Sequence, residues 1–111
     1  MLEAMTANLE KYLDLLTARQ KLVASNIANA DTPGYQTKDI DFQQEFMSMV
    51  NGQTPLSIET SGLPVKPDGN NVNVDHEARM LAENAMRFNV ASVLLRGTIN
   101  TVKEAITGGA S

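Results

Sequence analysis

Asp39 and Asp41 stand two residues apart, a spacing that on a strand would put both carboxylates on one face. Paired carboxylates can do acid–base work, but no nucleophile, histidine or glycine-rich cradle lies near them in sequence, so they read as solvated turn acids. The run Asp68-Gly69-Asn70-Asn71-Val72-Asn73-Val74-Asp75 is rich in oxygen donors and invites a comparison with calcium loops. An EF-hand needs oxygen ligands at its first, third and fifth positions and glycine at its sixth. Counted from Asp68, the fifth is Val72 and the sixth Asn73. The run reads instead as a turn followed by a helix cap. His76 is the only histidine and there is no cysteine, so no His pair and no thiolate can hold zinc. No P-loop, dinucleotide fingerprint or nucleophile elbow is present. The sequence therefore offers no catalytic residue, no cofactor site and no metal site.

Composition narrows the classes further. Nine Lys and Arg stand against thirteen Asp and Glu, for a net charge of −4. The basic residues are scattered singly, whereas a nucleic-acid binder needs a basic patch to displace counterions from phosphates. No apolar stretch approaches the roughly 20 residues of a membrane helix. Glu3 and Asn8 interrupt the place where a signal peptide would have its apolar core, so any export is expected to proceed without a cleaved signal. With 111 residues the chain suits one small domain, and an aromatic share of 5% leaves few bulky anchors for a deep core.

Two long elements must position whatever the chain presents. Residues 1–30 contain neither Pro nor Gly, and Leu2, Met5, Leu9, Tyr12, Leu16, Val23, Ile27 and Ala30 recur at helical steps. Leu13, Leu15 and Leu22 widen that stripe. Pro33-Gly34 suits the centre of a type II turn and ends the helix firmly. Residues 31–72 lose the pattern: Phe42, Phe46, Met47 and Val50 allow either a short helical turn or an extended piece. The breakers Gly52, Pro55, Gly62, Pro64, Pro67 and Gly69 follow, and this middle is expected to be irregular and partly disordered in the free chain. Residues 73–107 form the second helix, with Asn73 or Asp75 as N-cap and a short tail at 108–111. Leu81, Ala85, Phe88, Ser92, Leu95, Ile99, Val102 and Ile106 alternate four- and three-residue steps, a heptad seam.

The expected fold is thus all-α: two amphipathic terminal helices in a coiled-coil-like pair, joined by an irregular segment. Leu9, Leu16, Val23, Ile27, Leu81, Phe88, Leu95, Ile99 and Val102 are the packing residues this pattern nominates. Two helices cover only one side of each other, and burying an aliphatic side chain is worth roughly 1.5–3 kcal/mol. The surplus apolar residues Leu13, Leu15, Leu22, Val90, Val93 and Leu94 therefore favour a further partner, and self-association follows. A self-contained helical adaptor whose middle segment covers the surplus is the competing reading.

The eleven residues Ser25-Asn26-Ile27-Ala28-Asn29-Ala30-Asp31-Thr32-Pro33-Gly34-Tyr35 resemble the signature of flagellar basal-body rod, hook and hook-associated proteins. The chain is identified as a member of the rod family, similar to its proximal members. Asp39-Ile40-Asp41-Phe42 and the Pro67–Asp75 run add to the likeness, as does the short middle, where distal relatives carry a large β-domain. The resemblance implies a subunit of the periplasmic rod, exported by the flagellar type III apparatus, that transmits torque. It also implies contacts with other rod proteins and with the adaptor joining rod to membrane ring; another small rod subunit of the family is the alternative. Within the signature, Ser25, Asn26, Asn29, Asp31, Thr32, Pro33, Gly34 and Tyr35 are the candidate turn residues. Asn26 and Asn29 suit either helix capping or amide bonds to a neighbouring subunit, and Tyr35 is expected to seat the turn.

Overall fold

The computed structural model describes residues 1–52, 59–60 and 63–108. Its elements run α1 (Leu2–Ala28), β1 (Lys38–Asp39), α2 (Phe42–Val50), β2 (Glu59–Thr60) and α3 (Val74–Gly108). The fold is all-α, dominated by the two terminal helices. The only strands among the described residues form a two-residue antiparallel ladder, with Lys38 opposite Thr60 and Asp39 opposite Glu59. The expected disorder of the middle falls in part on 53–58 and 61–62, and the tail on 109–111, outside the described residues.

Helices α1 and α3 pack antiparallel. Asn26 meets Glu77 near one end of the pair, and Leu16 and Gln20 meet Asn84 further along. Leu2 and Glu3 share a groove with Val102 and Lys103 at the far end. The molecule is accordingly a rod of 69 × 26 × 15 Å with a radius of gyration of 18.2 Å. A compact chain of this length would have a radius near ~13 Å.

Helix α1 stops where the sequence says it must. Asn29 closes it, its amide nitrogen donating to Ser25 O and Asn26 O at 3.1 and 3.2 Å. The turn Thr32-Pro33-Gly34-Tyr35 is closed by Tyr35 N–H on Thr32 O at 3.2 Å. Gly34 takes a φ of 75° at the third position, as a type II turn requires. At the start of α3, Asn73 caps, its Oδ1 accepting from His76 N at 3.1 Å.

The stretch that allowed either a turn or a strand is a nine-residue helix, α2. Asp41 caps it, accepting from Gln44 N at 3.3 Å, so this acid is a cap residue and not merely solvated. Phe42 and Phe46, one turn apart, both set ring edges against Tyr12 at centroid distances of 5.2 and 5.3 Å. Lys11 Nζ donates to Met49 O at 3.0 Å, meeting the carbonyl end of α2 where a cation is favoured. Tertiary packing on α1 thus decides the conformation of a segment whose pattern was ambiguous.

The line of α3 that faces α1 is Glu77, Asn84, Ala91 and Thr98, four buried residues seven apart. This is the heptad period expected, but not the stripe nominated from sequence. Leu81, Phe88 and Ile99 remain 37, 43 and 41% exposed, and Ile106 is 69% exposed. Leu95 and Val102 are half-buried. The reason is geometric: a heptad repeat fixes the period of a face, whereas the rotation of α3 is set by the Asn26–Glu77 and Asn84–Leu16 bonds. On α1, Leu16 and Val23 are buried, Leu9 is half-buried and Ile27 is 37% exposed.

Candidate functional site

Two features stand out from the helix pair. The first is a junction at which the α1 C-terminus, the signature turn, β1 and the loop before α3 meet. Asn26 lies at its centre, 1% exposed. Its Nδ2 donates to Lys38 O at 2.8 Å and to Glu77 Oε2 at 3.2 Å. Its Oδ1 accepts from Lys38 N at 3.0 Å and from Tyr35 Oη at 3.1 Å. Both amide hydrogens and both oxygen lone pairs are used within the chain. Asn29 likewise works locally, donating to Ser25 O at 2.8 Å and accepting from Thr32 Oγ1 at 3.0 Å.

Asn70, fully buried, completes the turn from the other side. Its Nδ2 donates to Asn29 O and Thr32 O, both at 2.8 Å, and its Oδ1 accepts from Val72 N at 2.7 Å. It thereby satisfies carbonyls that the end of a helix leaves without partners. Asn71 Oδ1 accepts from Thr37 N, and Gly34 N donates to Asp68 O at 2.9 Å. Gly69, with a φ of 85°, lies so close to Gly34 that a Cβ there would stand 3.2 Å from Gly34 Cα. Tyr35 is half-buried, with Ser25 Oγ 3.3 Å from its hydroxyl, while Asp31, Thr32, Pro33 and Gly34 are exposed along the outer edge.

Glu77 is the charged member of this junction, 2% exposed. Burial pushes its carboxyl above the ordinary carboxylate range, and the Asn26 hydrogen bond, His76 and Arg19 pull it part of the way back while Asp39 pushes it further up. Asp39 faces the same corner, paired with Arg19 through Nε–Oδ1 at 3.2 Å and Nη2–Oδ2 at 3.3 Å. The sequence-level pair Asp39 and Asp41 is therefore split between an ion pair and a helix cap. His76 is half-buried, and among the described residues no three acidic, His or Cys side chains gather into a metal-binding group. These polar groups hold backbone in place; of the junction, Asn71 and Val72 also line a cavity of about 300 Å³ with Lys66, Asn73 and Asp75.

The second feature is the surface along the helix pair. On the side where α2 stands, Met5, Leu9, Tyr12, Phe46, Val90 and Leu94 line an apolar groove of about 570 Å³. On the opposite side a groove of about 650 Å³ runs beside Phe88 and Ser92 and one of about 420 Å³ beside Leu2, Ile99 and Val102. Between them the α1–α3 seam is weak for a hydrophobic pair: Asn84 donates to Leu16 O at 2.9 Å and Gln20 Oε1 at 3.0 Å, yet its own Oδ1 is buried without a partner. An acceptor left so costs about 1–3 kcal/mol. Six apolar residues are buried among the described residues, against fifteen large apolar ones that are exposed. So much exposed apolar surface on a small chain marks an interaction surface.

Sequence reasoning did not single out three buried members of this arrangement, Asn70, Glu77 and Asn84. The signal available for Asn84 and Glu77 was their seven-residue spacing with Ala91 and Thr98; their polarity masked it.

Comparison with known proteins bears directly on the junction. The model of a family described as "Flagella basal body rod protein" matches residues 13–36, which contain the signature turn. The flagellar basal body rod protein FlgB of Escherichia coli (strain K12) is 32% identical, over 90% of this chain and 91% of its own length. That of Bacillus subtilis (strain 168) is 31% identical over 92% of both chains. That of Salmonella typhimurium is 30% identical over 90% of this chain and 91% of its own.

Proposed function

The chain belongs to the FlgB family of flagellar basal body rod proteins, and from that premise we propose that it is a proximal rod subunit that polymerises through α1 and α3. The family is one of structural proteins and not of enzymes, and its members belong to the flagellar basal body. The observation that carries the proposal is the surface of the helix pair: apolar stripes at helical spacing run along it, still open, for its whole length.

In this reading the described chain is a half-finished bundle. Leu9, Leu16 and Val23 hold α1 to α3, while Leu81, Phe88, Leu95, Ile99 and Val102 meet helices of neighbouring subunits. The junction at Asn26 and Asn70 fixes the direction in which the chain leaves α1, so the elements beyond the turn take one orientation on the outside of the tube. Torque passes through interlocked helices, and the polar seam sets their register, a role for which buried asparagine is well attested. The neighbours are other rod proteins and the adaptor at the membrane ring. The export apparatus delivers the chain without a cleaved signal. No helix is long and apolar enough to cross a membrane among the described residues.

The test is complementation in a flagellated host lacking its own FlgB. The wild-type chain is expected to restore basal bodies with rods in electron micrographs, and Leu95→Asp to restore none, because an unpaired buried charge is costly. Rods built from Leu95→Asp would refute the assignment of that stripe to an interface.

A further inference from the structure

Asn51-Gly52 is the one place in the chain where glycine follows asparagine. The pairing matters chemically, because a backbone nitrogen reaches the side-chain amide of the residue before it most readily where no Cβ crowds its approach. The fold sets the other asparagines aside. Asn26, Asn70, Asn71 and Asn84 are buried, Asn29 and Asn73 are held by turn and cap hydrogen bonds, and Asn8, Asn89 and Asn100 lie inside the two long helices. Asn51 and Gly52 are both exposed, just past the last turn of α2. Asn51 has a ψ of 9°, which turns the Gly52 nitrogen away from its side chain. That conformation is held by one exposed hydrogen bond, from Gly52 N to Met49 O at 3.1 Å. Lys11 Nζ donates to the same oxygen at 3.0 Å, so an ammonium group stands beside the glycine nitrogen.

Asp68-Gly69, the chain's one Asp-Gly pair, provides the contrast. Asp68 Oδ1 accepts from Asn70 N at 3.0 Å, Asp68 O accepts from Gly34 N at 2.9 Å, and Gly69 N donates to Lys66 O at 2.9 Å. Gly69 is also packed against the Gly34 backbone. That pair is locked on every side.

We propose that Asn51 is a site of spontaneous deamidation, promoted by Lys11. The Gly52 nitrogen, having lost its proton to solvent, bonds to Asn51 Cγ. The bond from Cγ to the side-chain nitrogen breaks, and that nitrogen leaves as ammonia with a proton from water. Water then opens the succinimide at either carbonyl, giving aspartate or isoaspartate with no change in oxidation state. Lys11 stabilises the negative charge first on the glycine nitrogen and then on the oxyanion at Cγ. The product carboxylate stands at the carbonyl end of α2, where the helix dipole disfavours it and Lys11 offsets the cost. The inference goes beyond the rod-subunit reading and does not depend on it.

The purified chain is aged at neutral and alkaline pH and followed by isoelectric focusing, ammonia release and peptide mapping with an isoaspartyl methyltransferase. Wild type is expected to gain a species with one added negative charge, mapped to residue 51 and formed faster at alkaline pH. Asn51→Gln, which would have to close a larger ring, is expected not to form it. An ammonium two hydrogen-bond lengths away in water favours an anion about threefold. Lys11→Gln is therefore expected to age about threefold more slowly, with the gap closing at high salt. A chain that leaves residue 51 intact, that converts another asparagine first, or that forms isoaspartate at Asp68 as early, overturns the proposal. So does a Lys11→Gln chain that ages as fast as wild type or faster at low salt: a lysine that merely clamped α2 would, once removed, free Gly52 N sooner.

Discussion

Replacing Asn26 by alanine removes four hydrogen bonds at once. The donors and acceptors left behind are Lys38 N, Lys38 O, Tyr35 Oη and the Glu77 carboxyl. A buried group deprived of its partner costs about 1–3 kcal/mol, and more if charged. Two of the four are partly relieved: Tyr35 Oη keeps Ser25 Oγ at 3.3 Å, and Lys38 is itself an exposed residue. Counting Glu77 and one Lys38 group in full and the others as small gives a loss of roughly 3 kcal/mol. For a chain of this size that corresponds to a fall of about 12 °C in Tm. The assay is thermal and urea unfolding followed by circular dichroism, at concentrations below self-association. Asn26→Asp sharpens the test, since Oδ1 still accepts from Lys38 N and Tyr35 Oη while a carboxylate oxygen replaces the donating Nδ2 against Lys38 O and Glu77. It should be less stable than Asn26→Ala at neutral pH and should recover as the pair gains protons in acid. A loss below about 1 kcal/mol for Asn26→Ala, or an acid-independent Asn26→Asp, would refute the idea that this amide organises the junction.

The Glu77 carboxyl is raised by burial, so its neutral form is the one the folded state prefers; its contribution is full below the ordinary value of 4.5 and is lost as pH rises through the folded value. Glu77→Gln should therefore melt higher than wild type at neutral pH, with the gap closing in acid; a gap that ignores pH would contradict the assignment. Gly69→Ala combines a positive φ with a 3.2 Å approach to Gly34 Cα, whereas Gly34→Ala has the positive φ and open space. The first should cost about 2 kcal/mol and the second about 1, by the left-handed penalty alone; equal losses in urea titrations would show that the turn and loop are not in contact. Tyr35→Ala should lower rod incorporation, measured by motility on soft agar, and full motility would show that the turn seats itself without that ring.

The all-α class, the two long helices and the stop at Asn29 to Tyr35 could be read from the residues alone, because each rests on local rules. Apolar spacing makes a helix face, and Pro33-Gly34 makes a turn, whatever surrounds them. The sequence also carried the family, through eleven consecutive residues of mixed chemistry. Helix α2 was half legible: Asp41 and Gln44 were available as a cap pair, but only Tyr12, brought in from α1, decides between helix and strand. The seam was legible in period and not in phase. A stripe of Leu81, Phe88, Leu95 and Val102 announces that something will cover it, while Glu77, Asn84, Ala91 and Thr98 face the intrachain partner because distant hydrogen bonds fix the rotation of α3. Burial of a polar side chain depends on partners 40 to 70 residues away, as Asn70 to Asn29 and Asn84 to Leu16 show. No window of sequence contains both halves of such a bond, and only the folded chain brings them together.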